Sequence, residues 1–368
     1  MTQDGQSLFF IGSCTRPLPY FASANGAGLT GVFLDEETGA CTRAGVTTGI
    51  DNPTYAAISA DGRMLYASSE VVDWHEGTLS AYAIDRAGGT LAYVNKAVTR
   101  GNVAAQVSLD RSDRFVACVN YAFMPPGAGP DRAVVIFARA PDGGLGPVTA
   151  EARLSGHGPD PDRQARSHAH CLRFSRDNRL ALVADLGTDR VELFRFDAAS
   201  GALAPAGAVG LPPGTGPRHI EMHPRRDIAY VVGELNATLA TIALDSGAAA
   251  GRCLHVAPCL PPGGPPGTHG SAVKISPDGG HLYVGNRGHD SIAHLRVDAG
   301  GVARFAGTVP CGGATPRDLA LSPSGRVLVV ANQDSDRVEV FRRGPDGGLA
   351  PLGPGFATGT PTCVAFLP

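Results

Sequence analysis

Two histidines stand two residues apart in Ser167-His168-Ala169-His170-Cys171, directly ahead of an apolar run that reads as a β-strand. His-x-His is a familiar metal-ligand spacing, and Glu234 is a candidate third ligand. The same pair could instead transfer protons, because an unperturbed imidazole titrates near pH 6.5. A third possibility is a pair of hydrogen-bonded core residues. What decides among these is the set of side chains that the fold places around them.

The elements that must position the pair come from an internal repeat. NPTYAAISADGRMLYASSE (52–70), GSAVKISPDGGHLYVGNRG (270–288) and TPRDLALSPSGRVLVVANQD (315–334) share one template. Each is an alternating apolar strand, a tight turn built on Asp-Gly or Ser-Gly, and a second apolar strand. Segments 104–122, 168–187 and 216–235 follow it with poorer turn residues. A third strand follows in DRVELFRFDAASG (189–201), DSIAHLRVDAGG (290–301) and DRVEVFRRGPDGG (336–348), and then a degenerate fourth. Four short strands every ~45–65 residues are the signature of a propeller blade, and the period-2 alternation excludes helical solenoids. The seventh copy is split: PTCVAFLP (361–368) matches the first strand, SLFFIGSCT (7–15) the second and GLTGVFLDEETGA (28–40) the third. Strands from both termini would then close the ring and remove two sheet edges. The reading is all-β, a single seven-bladed β-propeller over 1–368.

In such a blade the start of the innermost strand and the end of the second lie at one end of the central channel. Counted from the turn, the first slot contains Thr54, Ala105, His170, Arg218, Ser271, Arg317 and Thr362. The second contains Cys14, Glu70, Tyr121, Leu186, Glu234, Arg287 and Gln333. Strand interiors repeat while these slots diverge, largely toward ionisable residues. In an extended strand His168 leans to the same side as His170, and His219, one past the Arg218 slot, faces away into packing. Arg287 has a local carboxylate, Asp290, that could neutralise it. Asp189, Asp290 and Asp336 recur at one repeat position and read as turn-builders. Arg218, Arg287 and Arg317 would repel a divalent cation, so the slots favour an anionic ligand and no bound metal or other cofactor.

The composition bounds the partners. A net charge of -3 gives no basic surface for nucleic acid. No apolar segment reaches the ~20 residues needed to span a bilayer, and MTQDGQSLFFIGSC has no basic leader region, so a soluble cytoplasmic monomer is expected. Eight cysteines, at 14, 41, 118, 171, 253, 259, 311 and 363, fall mostly in apolar runs and read as buried thiols; only Cys253 and Cys259 suggest a bridge under oxidation.

The motifs DRQARSHAH (162–170), GPRHIEMHP (216–224), GELN (233–236) and GNRGHDSIAHLRVD (285–298) resemble the seven-bladed propeller lactonase family, which includes 6-phosphogluconolactonases and a fungal muconate cycloisomerase. The resemblance covers nearly the whole chain. It implies His170, Glu234, Arg218 and Arg287 as catalytic residues, and a sugar-lactone or other small anionic substrate. His168, Glu70, Arg317, Gln333 and Tyr121 would complete the substrate pocket. By that resemblance the arginines stabilise an oxyanion and Glu234 or His170 moves the proton, whether the enzyme opens a lactone or closes one. A non-catalytic binding platform is the other reading. The loop FMPPGAGPD (123–131) and the start GSCT depart from the family pattern near the expected site.

Overall fold

In a computed structural model, residues 6–19, 21, 23–125 and 127–368 are described. They form seven antiparallel sheets, six with their strands in chain order from the channel outward and the seventh led by the C-terminal strand, and one short 3₁₀ turn at Gln333–Ser335. Blades 1 to 6 have inner strands Tyr55–Ile58, Ala104–Leu109, Ala169–Phe174, Pro217–Met222, His269–Ile275 and Pro316–Leu321. Blade 7 is the split copy. Its inner strand Pro361–Phe366 pairs antiparallel with Ser7–Ser13, which continues to Leu29–Leu34 and Cys41–Thr47. Asn25 N reinforces this closure by donating to Thr360 Oγ1 at 2.8 Å.

Burial follows strand position. Second strands such as Met64–Ser69, Leu180–Asp185 and Val327–Asn332 are buried along their whole length, because both sheet faces pack on neighbouring blades. Outer strands such as Thr90–Val98 alternate with solvent. Tyr66, Tyr230 and Tyr283 occupy one repeat position, fully buried, and each donates its hydroxyl to a glycine carbonyl of the following blade (Gly143, Gly301 and Gly347). That satisfies the phenol while its ring fills the gap between blades.

The turns explain which copies look degenerate. Gly62, Gly279 and Gly325 hold φ of 64°, 70° and 69°, and Asp113 and Asn178 take 61° in the poorer copies. Asp and Asn tolerate this left-handed region better than other side chains, so the turn survives the change. All eight cysteines are free thiols, including Cys253 and Cys259.

Asp189, Asp290 and Asp336 are turn residues, with φ of 54°, 52° and 51°. They also staple blades together. Their carboxylates accept the backbone N–H of Gly216 (2.7 Å), Thr315 (2.8 Å) and Thr360 (2.7 Å), each just ahead of the next inner strand. Replacing Asp290 with Ala leaves the Thr315 amide without its acceptor and puts a Cβ without local hydrogen bonds at positive φ. The expected cost is about 1–3 kcal/mol in urea unfolding, with Asp290→Asn losing clearly less. Equal loss in the two variants would show that the carboxylate is not the staple.

Candidate active site

The inner strands are irregular at the slots singled out in the sequence. Ladder pairing jumps from Ala104 to Gln106, from Ala169 to Cys171, from Pro316 to Asp318 and from Pro361 to Cys363. It also jumps from Pro217 to Ile220 and from Gly270 to Val273. The extra residues are Ala105, His170, Arg317, Thr362, the pair Arg218–His219 and the pair Ser271–Ala272. A β-bulge frees a residue from the ladder and re-aims its side chain. Six blades therefore present their slot residues on bulges rather than on a regular pleat.

This bulging corrects one expectation, that for His219. The strand begins at Ala169, so His168 lies ahead of it, and it borders the same cavity as His170. His168 stacks on Tyr121 with centroids 4.3 Å apart and shares its Nδ1 with the Tyr121 carbonyl at 2.8 Å. Its backbone is fixed by Asp185, which accepts from His168 N at 2.7 Å and Ser167 Oγ at 2.6 Å. His219 does not face away: because Arg218 and His219 share one bulge, His219 enters the channel beneath the site. Its ring lies 5.6 Å from His170 and, edge-on, 5.6 Å from Tyr55 of blade 1.

All nine residues singled out in the sequence line one cavity of about 860 Å³ at this channel mouth: His168, His170, Arg218, Glu234, Arg287, Glu70, Arg317, Gln333 and Tyr121. That falls within the ~300–1,000 Å³ typical of ligand pockets. The slots filled by Cys14, Thr54, Leu186, Ser271 and Thr362 do not border it. Cys14 is sealed, and burial pushes its thiol up to about 12.

Glu234 is the electrostatic centre. Its Oε2 lies 2.9 Å from Arg218 Nε and 3.0 Å from an Arg287 Nη, and its Oε1 is bonded by Arg163. Burial alone would raise its pKa, but Arg287, Arg218 and Arg163 together hold it well below the ordinary glutamate range. A carboxylate so stabilised is a poor proton acceptor and an effective anchor. Arg287 thus pairs with Glu234 across blades and not with its local Asp290, whose carboxylate serves the turn. Arg218 also donates from Nη1 to Ser271 O at 2.7 Å. The Arg287 Nε–H is a buried donor without a hydrogen-bond partner among the described residues, whereas Arg218 Nε is engaged by Glu234 Oε2. Arg317 reaches Glu70 at 3.7 Å.

His170 supplies the complementary group. Its ring meets Tyr121 edge-on at 5.7 Å, and its Nδ1 is enclosed without a hydrogen-bond partner among the described residues. Burial, then the charge of Arg218, lowers its pKa well below 6.5 and keeps the imidazole neutral. Tyr121 moves the other way: burial and Glu234 push its phenol up to about 12, so it stays protonated.

Several wall residues escaped the slot reading, Arg163, Arg166 and His269 among them. Arg163 and Arg166 come from the connection before blade 3. Arg166 holds the departing loop 123–131 in place through Asp131 at 2.6 Å and the Met124 carbonyl, and Phe123 and Pro125 of that loop border the cavity. His269 stands two before its blade's slot, as His168 does in blade 3 and Thr315 in blade 6. Applying the His168 offset to every blade would have found it. Among the described residues no group of three His, Cys, Asp or Glu is arranged to hold a metal ion, and both Glu234 oxygens are engaged by guanidinium groups.

A propeller whose channel mouth gathers guanidinium groups and a neutral imidazole around one buried carboxylate has a pocket of the kind enzymes use. The chain belongs to the seven-bladed β-propeller lactonase family, whose model matches residues 8–366. It is 31% identical over 358 residues to a 6-phosphogluconolactonase of Bacillus subtilis, covering 96% of this chain and 99% of that one. A periplasmic gluconolactonase of Pseudomonas aeruginosa superposes with TM-score 0.87 at 28% identity, covering 99% of each chain. A structure from Bacteroides fragilis does so with TM-score 0.87 at 26% identity, over 100% of this chain and 99% of that one.

Proposed function

We propose that this lactonase hydrolyses a sugar-derived lactone of the aldono or 6-phosphoglucono type, without a metal, at the mouth lined by Glu234. The observation that carries this reading is the pair of guanidinium groups, Arg218 and Arg287, held on Glu234 beside a neutral His170 whose Nδ1 has no hydrogen-bond partner among the described residues. Water adds to the ring carbonyl, and the guanidinium groups stabilise the oxyanion that forms. His170 takes the proton from that water. As the acyl C–O bond breaks, the same proton passes to the departing ring oxygen, giving an acid and an alcohol.

Glu234 keeps the guanidinium groups in place and charged, a positioning role in place of the base role weighed from the sequence. Tyr121 and His168 form an aromatic wall against the sugar ring, while Arg317, Glu70 and Gln333 offer polar contacts to its hydroxyls. Kinship with a 6-phosphogluconolactonase and a gluconolactonase supports the substrate class.

The test is a panel of glucono-δ-lactone, 6-phosphogluconolactone and a carboxymuconate, followed by pH-stat or absorbance. Saturable hydrolysis of a sugar lactone that survives exhaustive chelation is expected. Turnover of the muconate alone would overturn the assignment, and activity lost on chelation and restored by one cation would overturn the metal-free mechanism.

A further inference from the structure

The channel has a second mouth, at the turn end of the inner strands. Three residues past each slot, the last channel-facing position carries Arg173, Glu221 and Lys274 on three consecutive blades. On blades 1, 6 and 7 the same position is Ala57, Ala320 or Ala365, leaving one side of the mouth empty. The result is a cavity of about 570 Å³, with Arg111 at its rim. Tyr55 and His219 cross the channel above it: the Tyr55 hydroxyl accepts from Arg173 Nη2 at 2.9 Å, and its ring meets His219 at 5.6 Å. The two cavities share no lining residue.

The charges at this mouth do not cancel. Arg173, Lys274 and Arg111 face Glu221, with Asp318 acting on Lys274 from further up the channel, and among the described residues none of these five is in an ion pair. Asp318, the next acid up the channel, is buried and accepts from Val364 N at 3.0 Å. Burial works against the charge on Lys274, yet Tyr55, Asp318 and Glu221 outweigh it and raise its pKa, so the ammonium persists. These cations, none of them in an ion pair, converge on one partly enclosed space whose remaining wall is largely apolar, with Ala57, Ala320 and Val364 among its residues. Two forked guanidinium groups and one point-like ammonium, approaching from two strands and a turn, match a tetrahedral oxyanion better than a planar one.

We propose that the turn-end mouth is a second ligand site, binding a phosphate-class dianion through Lys274, Arg173 and Arg111. The space exceeds a bare ion, so the chemistry fits free phosphate or the phosphoryl group of a small metabolite, with Glu221 left to accept from a ligand hydroxyl.

Isothermal titration of the full chain with inorganic phosphate, and separately with glycerol 3-phosphate, tests this. A phosphate site lost, or weakened at least tenfold, in Lys274→Met with lactonase kinetics unchanged is the expected result. Arg111→Gln, at the exposed rim, should weaken it too and carries the test if Lys274→Met does not fold. The site should persist in Arg287→Gln, which alters only the upper mouth. Tighter glycerol 3-phosphate binding at that site would identify a phosphometabolite, and binding of phosphate alone a free-ion site. Binding of neither probe, or binding that Lys274→Met and Arg111→Gln leave untouched and Arg287→Gln abolishes, would overturn the proposal.

Discussion

His170→Ala lowers kcat for lactone hydrolysis by about 10²–10⁴-fold, the usual contribution of a positioned acid–base group, while the propeller remains folded. The imidazole sits on a bulge outside the ladder, so truncation removes no strand hydrogen bond. His170→Asn should be as inactive as the alanine variant, because an amide fills the space but cannot take a proton. The pH profile distinguishes chemistry from packing. As a base His170 must be neutral, and burial with Arg218 nearby lowers its pKa well below 6.5. The enzymatic rate, corrected for spontaneous hydrolysis, should therefore stay level as pH falls from 8 through 6.5 and decline only below that. A rate rising as pH falls through this range would make His170 an acid in the first step. An unchanged kcat in either variant would remove it from the mechanism.

The fold was legible because a propeller states its architecture several times. Alternation, Asp-Gly turns and a copy split across the termini each imposed the same ring. Site positions were legible for a related reason: a slot that repeats in space but not in residue type has been released from the packing that keeps Tyr66, Tyr230 and Tyr283 alike. The bulges were not legible. One extra residue in a strand changes backbone pairing without changing the apolar pattern, so the inward turn of His219 cannot be read from that pattern. Arg163 was missed on different grounds, since it lies in a connection outside the template and reaches Glu234 only in three dimensions. Nor could residue types alone assign roles. Glu234 reads as a base until three guanidinium groups are found on it, and that arrangement makes it the anchor.

Glu234→Gln is expected to destabilise the protein more than any other single change at the mouth, by about 3–5 kcal/mol in urea unfolding, the range for removing one partner of a buried charge cluster. The side chain is 6% exposed, and an amide leaves Arg218 and Arg287 buried at close range with their mutual repulsion uncompensated. Arg163→Gln provides the contrast. That guanidinium is 35% exposed on a connecting segment, so its loss should cost about 0–1 kcal/mol and act chiefly on KM. Linkage gives a second readout. Because the folded-state pKa of Glu234 is depressed, its stabilisation is fully present above the ordinary value of 4.5 and is lost as pH falls toward the folded pKa. A loss beginning below pH 6.5 should appear in both proteins, with a slope of several protons, since His168, His170, His219 and His269 all have lowered pKa values and resist protonation when folded. Wild-type stability should fall more steeply still below pH 4.5, and Glu234→Gln should remove that added slope of about one proton. An acid limb of equal steepness in the two proteins would mean that Glu234 is not the carboxylate on which the arginine cluster depends.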